Sequence, residues 1–237
     1  MCTVSFFNTG SSLIFTSSRD EKKDREKAVF PDTLKLEDNV LHFPRDKKAL
    51  GTWFVVDENG NAAILLNGAF QKHESNPPYK KSRGIILLDL IKEKNIFDTF
   101  LEYDLSEIEP FQMLIYSQNM LFRLLWDGNV KYKILLNTNE YHLLCSKTLY
   151  NDEIILKRKN AFKKILHLKN ITAAKILDFH KAHRIEKVAH LEKSIKEKYS
   201  TVSITQLVIT KKSFDFTYHD LISNTIQTKK NEKKNLV

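Results

Sequence analysis

The chain has 237 residues, of which 42% are hydrophobic and 28% are charged, and its formal net charge is +9. This length allows a sizeable buried core, and the composition excludes wholesale disorder and fibrous repeats. No apolar run reaches the roughly 18 residues that a membrane-spanning helix needs. Two cysteines, Cys2 and Cys145, exclude a disulfide framework. Because the start of the sequence also lacks a signal-peptide pattern, we expect a cytoplasmic protein.

The basic net charge raises nucleic acid or an anionic lipid surface as a partner class. However, most positive residues lie in helix-like stretches with interleaved glutamate, such as 186–198, and no aromatic-plus-basic RNA-binding motif is present. We therefore expect a solvated basic surface and no nucleic-acid partner, with a nucleic-acid-associated basic protein as the alternative. The sequence does not indicate an oligomeric state.

The first half of the chain predicts two hairpins followed by helices. The second hairpin is the clearer one because Asn59-Gly60 readily takes the positive φ of a tight turn. A helix is expected to begin at Ser82, and residues 97–103 form a second, short one. The charged stretch 19–27 is predicted to be a loop or short helix. The strands of these hairpins are predicted at residues 2–7, 12–17, 51–57 and 61–67.

The second half predicts four further strands, a helical region and a closing hairpin. The helix over 151–168 has one apolar side, and residues 172–197 form one or two more helices. The strands are predicted at residues 111–116, 120–126, 130–136, 142–145, 202–210 and 214–218.

Blocks of hairpins separated by helices indicate antiparallel sheets rather than alternating parallel units. The sequence therefore predicts an α+β fold in which two stacked sheets lie between helical layers. We expect a single domain over residues 1–223 because no linker rich in proline or glycine interrupts the chain. Residues 224–237 are basic and polar, and are expected to form a flexible tail.

Cys2 is the first candidate functional residue because removal of Met1 would give it a free α-amino group. Such an amine can act as the base for a nucleophile on the same residue. A nearby guanidinium would favour the thiolate, and an amide could hold an oxyanion. The chain offers Arg19, Asp20 and Asn67 for these tasks. The alternative is that Cys2 is a small, inert apolar residue, as we expect Cys145 to be.

Several short motifs occur in order along the chain. These are Met1-Cys2-Thr3-Val4, Ser18-Arg19-Asp20-Glu21, Gly51-Thr52-Trp53 with Gly60, Ala63, Leu65 and Asn67, and Ser82-Arg83-Gly84. On these motifs, the chain resembles the NRDE family, which includes the transport and Golgi organisation protein 2 homologues. That family in turn resembles N-terminal-nucleophile hydrolases of the choloylglycine hydrolase and acyl-transferase type.

The resemblance implies a four-layer αββα sandwich, which agrees with the fold predicted above from the order of strands and helices. It also implies roles for four residues: Cys2 as nucleophile and base, Arg19 as charge partner of the thiolate, Asp20 as orienter of the amine, and Asn67 as oxyanion donor. The implied reaction is hydrolysis of a non-peptide C–N bond in a small amide, with no cofactor.

The chain departs from the family pattern at four positions. Ser18 and Leu66 replace the expected Asn and Thr, and Lys147 and Val202 replace a later Asn and Arg. Loss of that Asn and Arg would weaken an oxyanion or carboxylate site. The alternative function is therefore a non-catalytic binding or trafficking protein for haem or a lipid-like ligand.

Histidines in the region 172–197 are the remaining candidates for ligand binding. His180 and His183 are three residues apart in a predicted helix, a spacing that can present two metal or haem ligands. Because no His-Glu-x-x-His motif accompanies them, we interpret them as surface histidines and expect no metal site.

Overall fold

The computed structural model describes residues 2–166, 170–189 and 191–233, and for Cys2 and Leu166 it describes the backbone. The strands are β1 (Cys2–Asn8), β2 (Leu13–Lys22), β3 (Val29–Lys35), β4 (Val40–Arg45), β5 (Phe54–Asp57), β6 (Ala62–Asn67), β7 (Phe111–Ser117), β8 (Met120–Trp126), β9 (Lys131–Leu136), β10 (His142–Cys145), β11 (Tyr199–Ile209), β12 (Ser213–Asp220) and β13 (Thr225–Glu232). The helices are α1 (Arg83–Ile91), α2 (Ile96–Glu102), α3 (Asp152–Leu166), α4 (Ala173–Ala182) and α5 (Lys193–Lys198), and a 3₁₀ turn covers Ile185–Lys187.

The chain forms two compact units, each built on one antiparallel sheet. The first unit contains the residues up to Arg25 together with Asn139–Asn231, and the second contains Glu26–Thr138. The predicted α+β class with antiparallel sheets is therefore confirmed. The single domain over 1–223 stays a prediction.

The sheet of the first unit has six strands in the order β10-β1-β2-β11-β12-β13. Side chains alternate between the two faces of a strand, so every second residue of β2 faces α3 and α4. Ile14 on this face packs with Phe162 of α3 and Phe179 of α4. Of the apolar side predicted for α3, Ile154, Ile155 and Phe162 are buried. Residues 167 and 168 of the predicted helix lie outside the described residues.

Two sequence-based expectations for this unit differ from the structure. The charged stretch after residue 18 continues β2 as far as Lys22, because β11 pairs with it and buries its polar groups. The expected tail contains β13, which lies next to β12 as an edge strand; Thr217 and Thr228 hydroxyls bond across the two strands at 3.1 Å. A polar strand exposed on both faces lacks the apolar alternation that sequence patterns detect. Residues 234–237 lie outside the described residues.

The second unit has a seven-stranded sheet in the order β3-β4-β5-β6-β7-β8-β9. The predicted Asn-Gly hairpin is confirmed: Gly60 has φ +82°, and the Asp57 carboxylate accepts hydrogen bonds from the backbone of Asn59 and Asn61. Strands β3 and β4 were not predicted. Their charged and proline-containing segments, such as Pro31, do not give the expected strand signal.

Helix α1 begins where the sequence predicts, after Ser82, although the Ser82 side chain makes no capping hydrogen bond. The helix packs closely against the loop before β5. A Cβ atom on Gly84 would lie 2.6 Å from the Thr52 carbonyl oxygen, and one on Gly51 would lie 2.5 Å from the Gly84 carbonyl carbon. These two glycines of the motifs are thus required for contact between two backbones. In the described part of the chain, no helix is both long and apolar enough to cross a membrane.

Candidate active site

The start of β1 places Cys2 inside the six-stranded sheet rather than at its edge. Strand β1 lies between β10 and β2, and the Cα of Cys2 is paired in register with that of Arg19. Arg19 is 5% exposed and forms an ion pair with Glu21 at 3.5 Å. The sheet therefore places the backbones of Cys2 and Arg19 side by side on neighbouring strands, and the catalytic roles of the two residues stay a prediction.

Asp20 lies on the opposite face of β2 from Arg19, toward the helices, because successive residues of a strand alternate. It is 1% exposed. Its carboxylate accepts hydrogen bonds from the Tyr150 hydroxyl at 2.5 Å and from the Thr201 hydroxyl at 2.6 Å. Burial raises the pKa of the Asp20 carboxyl, and it outweighs the lowering effect of Arg158 and of the two hydroxyl donors.

Arg158 lies beside this carboxylate cluster and is 3% exposed. Its guanidinium donates hydrogen bonds to the Thr3 hydroxyl and, at 2.8 Å, to the backbone carbonyl of His183. It also stacks on the Tyr150 ring at 3.9 Å from the ring centroid. Arg158 thus ties the residue after Cys2 to the same cluster that holds Asp20.

His180 is buried, so its interpretation as a surface histidine was wrong. Its Nε2 and Nδ1 atoms lie 2.8 Å from the Ser5 hydroxyl and 2.7 Å from the Ser18 hydroxyl. Burial, with a smaller effect of Arg158 and His183, lowers the pKa of His180 to about 3, so the ring is neutral at neutral pH. Ser18, which replaces the Asn of the family motif, therefore has a defined partner in α4.

Thr201 lies at an irregularity in β11, where the register with β2 shifts between Thr201 and Ser203. The bulge contains Val202, the residue that replaces the Arg of the family pattern. The Thr201 hydroxyl accepts a hydrogen bond from the Ile185 amide at 2.8 Å while it donates to Asp20. A bulge can redirect a side chain in this way.

Lys147 follows β10 at the position of the second family Asn. Its ammonium group forms an ion pair with Asp152 at the start of α3, at 2.5 Å. The hydrogen bond from Lys147 lowers the pKa of the Asp152 carboxyl.

Asn67 is the last residue of β6 in the second unit, where it is paired with Phe111. The chain turns directly after it, because Gly68 has φ +76° and its amide bonds to the Pro110 carbonyl at 3.0 Å. The role of Asn67 as oxyanion donor stays a prediction.

Sequence reasoning missed Tyr150, Arg158 and Thr201 as partners of the Asp20 region. One signal was present: Arg158 falls at the spacing of the apolar side of α3, four residues after Ile154. A charged residue on a buried helix face requires buried partners.

Cys145 is 5% exposed and packs with Ile154 and Leu149, so its prediction as a core residue is confirmed. Burial raises the pKa of its thiol. Within residues 2–166, 170–189 and 191–233, no group of three or more His, Cys, Asp or Glu side chains is arranged to hold a metal ion.

The fold resembles that of N-terminal-nucleophile hydrolases. A mutant of the conjugated bile acid hydrolase from Clostridium perfringens aligns with 100% of this chain and 99% of its own, at a TM-score of 0.55 and 11% identity. The Caenorhabditis elegans ortholog of N-acylethanolamine-hydrolyzing acid amidase aligns with 87% of this chain and 92% of its own, at a TM-score of 0.58 and 11% identity. The predicted fold class is therefore confirmed.

The sequence matches the family model described as TANGO2, Transport and Golgi organisation 2, over residues 1–232. The chain belongs to this family, which confirms the resemblance carried by its motifs. No curated protein sequence matches the chain significantly.

Proposed function

We propose that the protein is an N-terminal-nucleophile-type hydrolase that cleaves a non-peptide C–N bond in a small amide, with Cys2 as nucleophile. One observation carries the proposal: in a chain of this fold, Cys2 begins an inner strand of the sheet, paired with Arg19 and one position from Asp20. A cytoplasmic location, where thiols remain reduced, fits this use of cysteine.

The chemistry requires removal of Met1. The free α-amine of Cys2 would take the thiol proton, and the sulfur would attack the amide carbonyl carbon. The tetrahedral intermediate would collapse when the leaving amine receives that proton, leaving a thioester on Cys2. Water would then attack the thioester, with the amine again accepting a proton, and would release a carboxylic acid and free Cys2.

Three residues would support these steps. The Arg19 guanidinium would favour the thiolate form of Cys2. Asp20, held by Tyr150 and Thr201, would orient the amine, and the Asn67 side-chain amide would donate to the oxyanion. The cluster around Asp20 favours this role, because hydroxyl donors on both carboxylate oxygens fix its position.

The substrate class that fits best is a lipid-like amide. The names of the two similar structures describe a hydrolase of conjugated bile acids and an acid amidase that hydrolyses N-acylethanolamines. This substrate class is proposed by analogy of fold.

Intact mass and cysteine labelling test the proposal. We expect a mass that lacks Met1 and, with limiting iodoacetamide near neutral pH, modification of Cys2 at least tenfold faster than of Cys145. Cys145→Ala is the matched control and should keep the fast reaction, whereas Cys2→Ala should lose it. Retention of Met1, or equal labelling of both thiols, would contradict a hydrolase.

A non-catalytic binding protein for haem or a lipid-like ligand is the second candidate. It is favoured by Lys147, which occupies the position of a family Asn and is engaged by Asp152. His180 is a poor haem ligand because both of its ring nitrogens have hydroxyl partners. Titration of wild type and Cys2→Ala with haem and with N-acylethanolamines separates the candidates. Saturable binding without turnover in both proteins favours the binding protein, and its absence argues against it.

A further inference from the structure

The positive charge of the chain is concentrated in the helical region of the first unit. Residues 151–198, which include α3, α4 and α5, contain 13 of the 38 Lys and Arg residues but only 6 of the 29 Asp and Glu residues. The net charge of this region is therefore +7, against +9 for the whole chain. The proposed hydrolysis makes no use of this charge, so its concentration requires another explanation.

Helix α3 has one side in the core and one side in solvent. The core side contains Ile154, Ile155, Arg158 and Phe162, which are buried. The acidic residues of this helix are confined to its first turn. Beyond that turn, the exposed side consists of one leucine, one asparagine and four lysines: Leu156, Lys157, Lys159, Asn160, Lys163 and Lys164.

The acidic first turn neutralises little of this positive charge. Glu153 pairs with Lys157 at 2.6 Å, and Asp152 is already paired with the lysine that follows β10. The Glu153–Lys157 pair lies largely in solvent, where ion pairs are weak. Among the described residues, Lys163 and Lys164 form no ion pair. The second half of α3 therefore presents unneutralised charge to the solvent.

Leu156 lies in the middle of this exposed side. Its side chain is 58% exposed. Lys159 and Lys163 follow it after three and seven positions, so the three side chains lie on one side of the helix. An exposed leucine surrounded by lysines suits a membrane interface, because the leucine can enter the acyl region while the lysine stems extend toward the headgroups.

An anionic membrane surface is the partner that matches both features. Anionic lipid headgroups are complementary to the lysines, and each basic residue near such a surface contributes about 1 kcal/mol to binding. A nucleic acid would match the charge equally well, but it would leave Leu156 against a hydrated phosphate backbone. The position of the leucine therefore favours a lipid surface.

We infer that the exposed side of α3 docks the protein on an anionic membrane surface. Lys159, Lys163 and Lys164 contact the headgroups, and Leu156 enters the outer part of the acyl region. This docking does not depend on Cys2 or on the proposed hydrolysis.

The test is co-sedimentation of the full-length protein with vesicles of phosphatidylcholine, alone or with about 30% phosphatidylserine. We expect at least about tenfold stronger binding to the anionic vesicles. Raising the salt concentration from about 50 mM to about 300 mM should remove most of this difference, because salt screens exposed charges. Cys2→Ala should bind equally well, so failure of the hydrolase proposal would leave this result unchanged.

A double variant on the exposed side tests the role of its charge. Lys163→Gln with Lys164→Gln should weaken binding to the anionic vesicles at least about tenfold. The matched control is Lys211→Gln with Lys212→Gln, which removes the same charge from two exposed lysines in the turn between β11 and β12. The control should change binding less than about twofold, since these lysines lie outside α3.

A single variant tests the apolar contact. Leu156→Ser should weaken binding about threefold or more, because less apolar surface enters the membrane. Ile222→Ser is the matched control, since Ile222 is 57% exposed, and it should leave binding unchanged.

Four outcomes would overturn the inference. They are absence of binding, equal binding to neutral and anionic vesicles, equal losses in the two double-lysine variants, and unchanged binding in Leu156→Ser. Duplex DNA serves as the competing polyanion. Tighter binding to DNA than to the anionic vesicles, lost in the variant of Lys163 and Lys164 but retained in Leu156→Ser, would instead assign this side of α3 to nucleic acid.

Discussion

The two sheets of this protein are built from different kinds of buried residue. In the seven-stranded sheet, β5 and β6 bury almost only apolar side chains, such as Phe54, Ile64 and Leu66. In the six-stranded sheet, β2 and β11 bury a series of polar side chains: Thr16, Ser17, Ser18, Arg19, Asp20, Thr201, Ser203, Thr205 and Gln206. Buried polar groups are costly unless they are bonded, and the proposed active site rests on their concentration in this one sheet.

The two units also differ in the contacts that their helices make. In the first unit, α3 and α4 contact the sheet through specific polar bonds, as between Ser18 and His180, as well as through apolar packing. In the second unit, α1 approaches the loop before β5 through two glycines whose backbones touch. Substitutions in the first unit therefore test buried hydrogen bonds, whereas substitutions of these glycines in the second unit test close packing of two backbones.

The largest effect is expected at Asp20. Asp20→Ala removes the acceptor of two buried hydroxyls and should lower the free energy of unfolding by about 2–4 kcal/mol. Asp20→Asn keeps an acceptor for one hydroxyl and should lose about half as much. Urea denaturation of both variants measures this. A loss under about 1 kcal/mol in Asp20→Ala would mean that the polar cluster does not stabilise its sheet.

The steric contact of the second unit is tested by Gly84→Ala. The new methyl group would meet the Thr52 backbone, and we expect a loss of about 1–3 kcal/mol in unfolding free energy. Gly10→Ala serves as the control: a Cβ atom added there would meet nothing within 4 Å beyond its chain neighbours, so only the φ of +87° opposes the change, at about 1 kcal/mol. Equal losses in both variants would argue against a steric role of Gly84.

The buried histidine of the first unit predicts a pH dependence. The pKa of His180 falls from 6.5 to about 3 on folding, so the unfolded chain binds the proton first as the pH decreases. Stability from this group is present above pH 6.5 and is lost progressively toward pH 3, with a limiting slope of about 1.4 kcal/mol per pH unit. Folding raises the pKa of Asp20, so the contribution of this group to stability is present at low pH and is lost as the pH rises.

His180→Gln removes this titration while its amide can still bond to Ser5 and Ser18. Urea midpoints of wild type and variant between pH 7 and pH 5 should therefore diverge, with the smaller slope in the variant. Parallel curves would show that His180 takes up its proton equally in the folded and unfolded chain.

The smallest effect is expected at Lys147. Its ion pair with Asp152 lies partly in solvent, where Asp152 is 88% exposed, so Lys147→Asn should change the unfolding free energy by at most about 0.5 kcal/mol. Thermal melting at low and high salt checks this. A larger loss would mean that the ion pair of Lys147 contributes to stability although it lies outside the buried polar groups of β2 and β11.

Local chemistry made much of the fold predictable. Asn59-Gly60 located its hairpin because this dipeptide accepts a positive φ, as Gly60 shows. The helix after Ser82 followed from apolar periodicity, although it ends at Ile91, and Ile96 begins the next helix after its Asn95 cap. Strand β13 and the end of β2 escaped prediction because polar, charged segments become strands only when a neighbouring strand pairs with them.

The sequence by itself determined the family, because motifs that contain Cys2, Arg19, Asp20 and Gly84 occur in the family's order. It also determined the antiparallel α+β class. Only the tertiary structure decided the environment of Asp20, because its partners Tyr150 and Thr201 lie 130 and 181 residues away along the chain. It likewise decided that His180 is buried and neutral. Contacts at such separations depend on sheet register and helix packing, which no local pattern encodes.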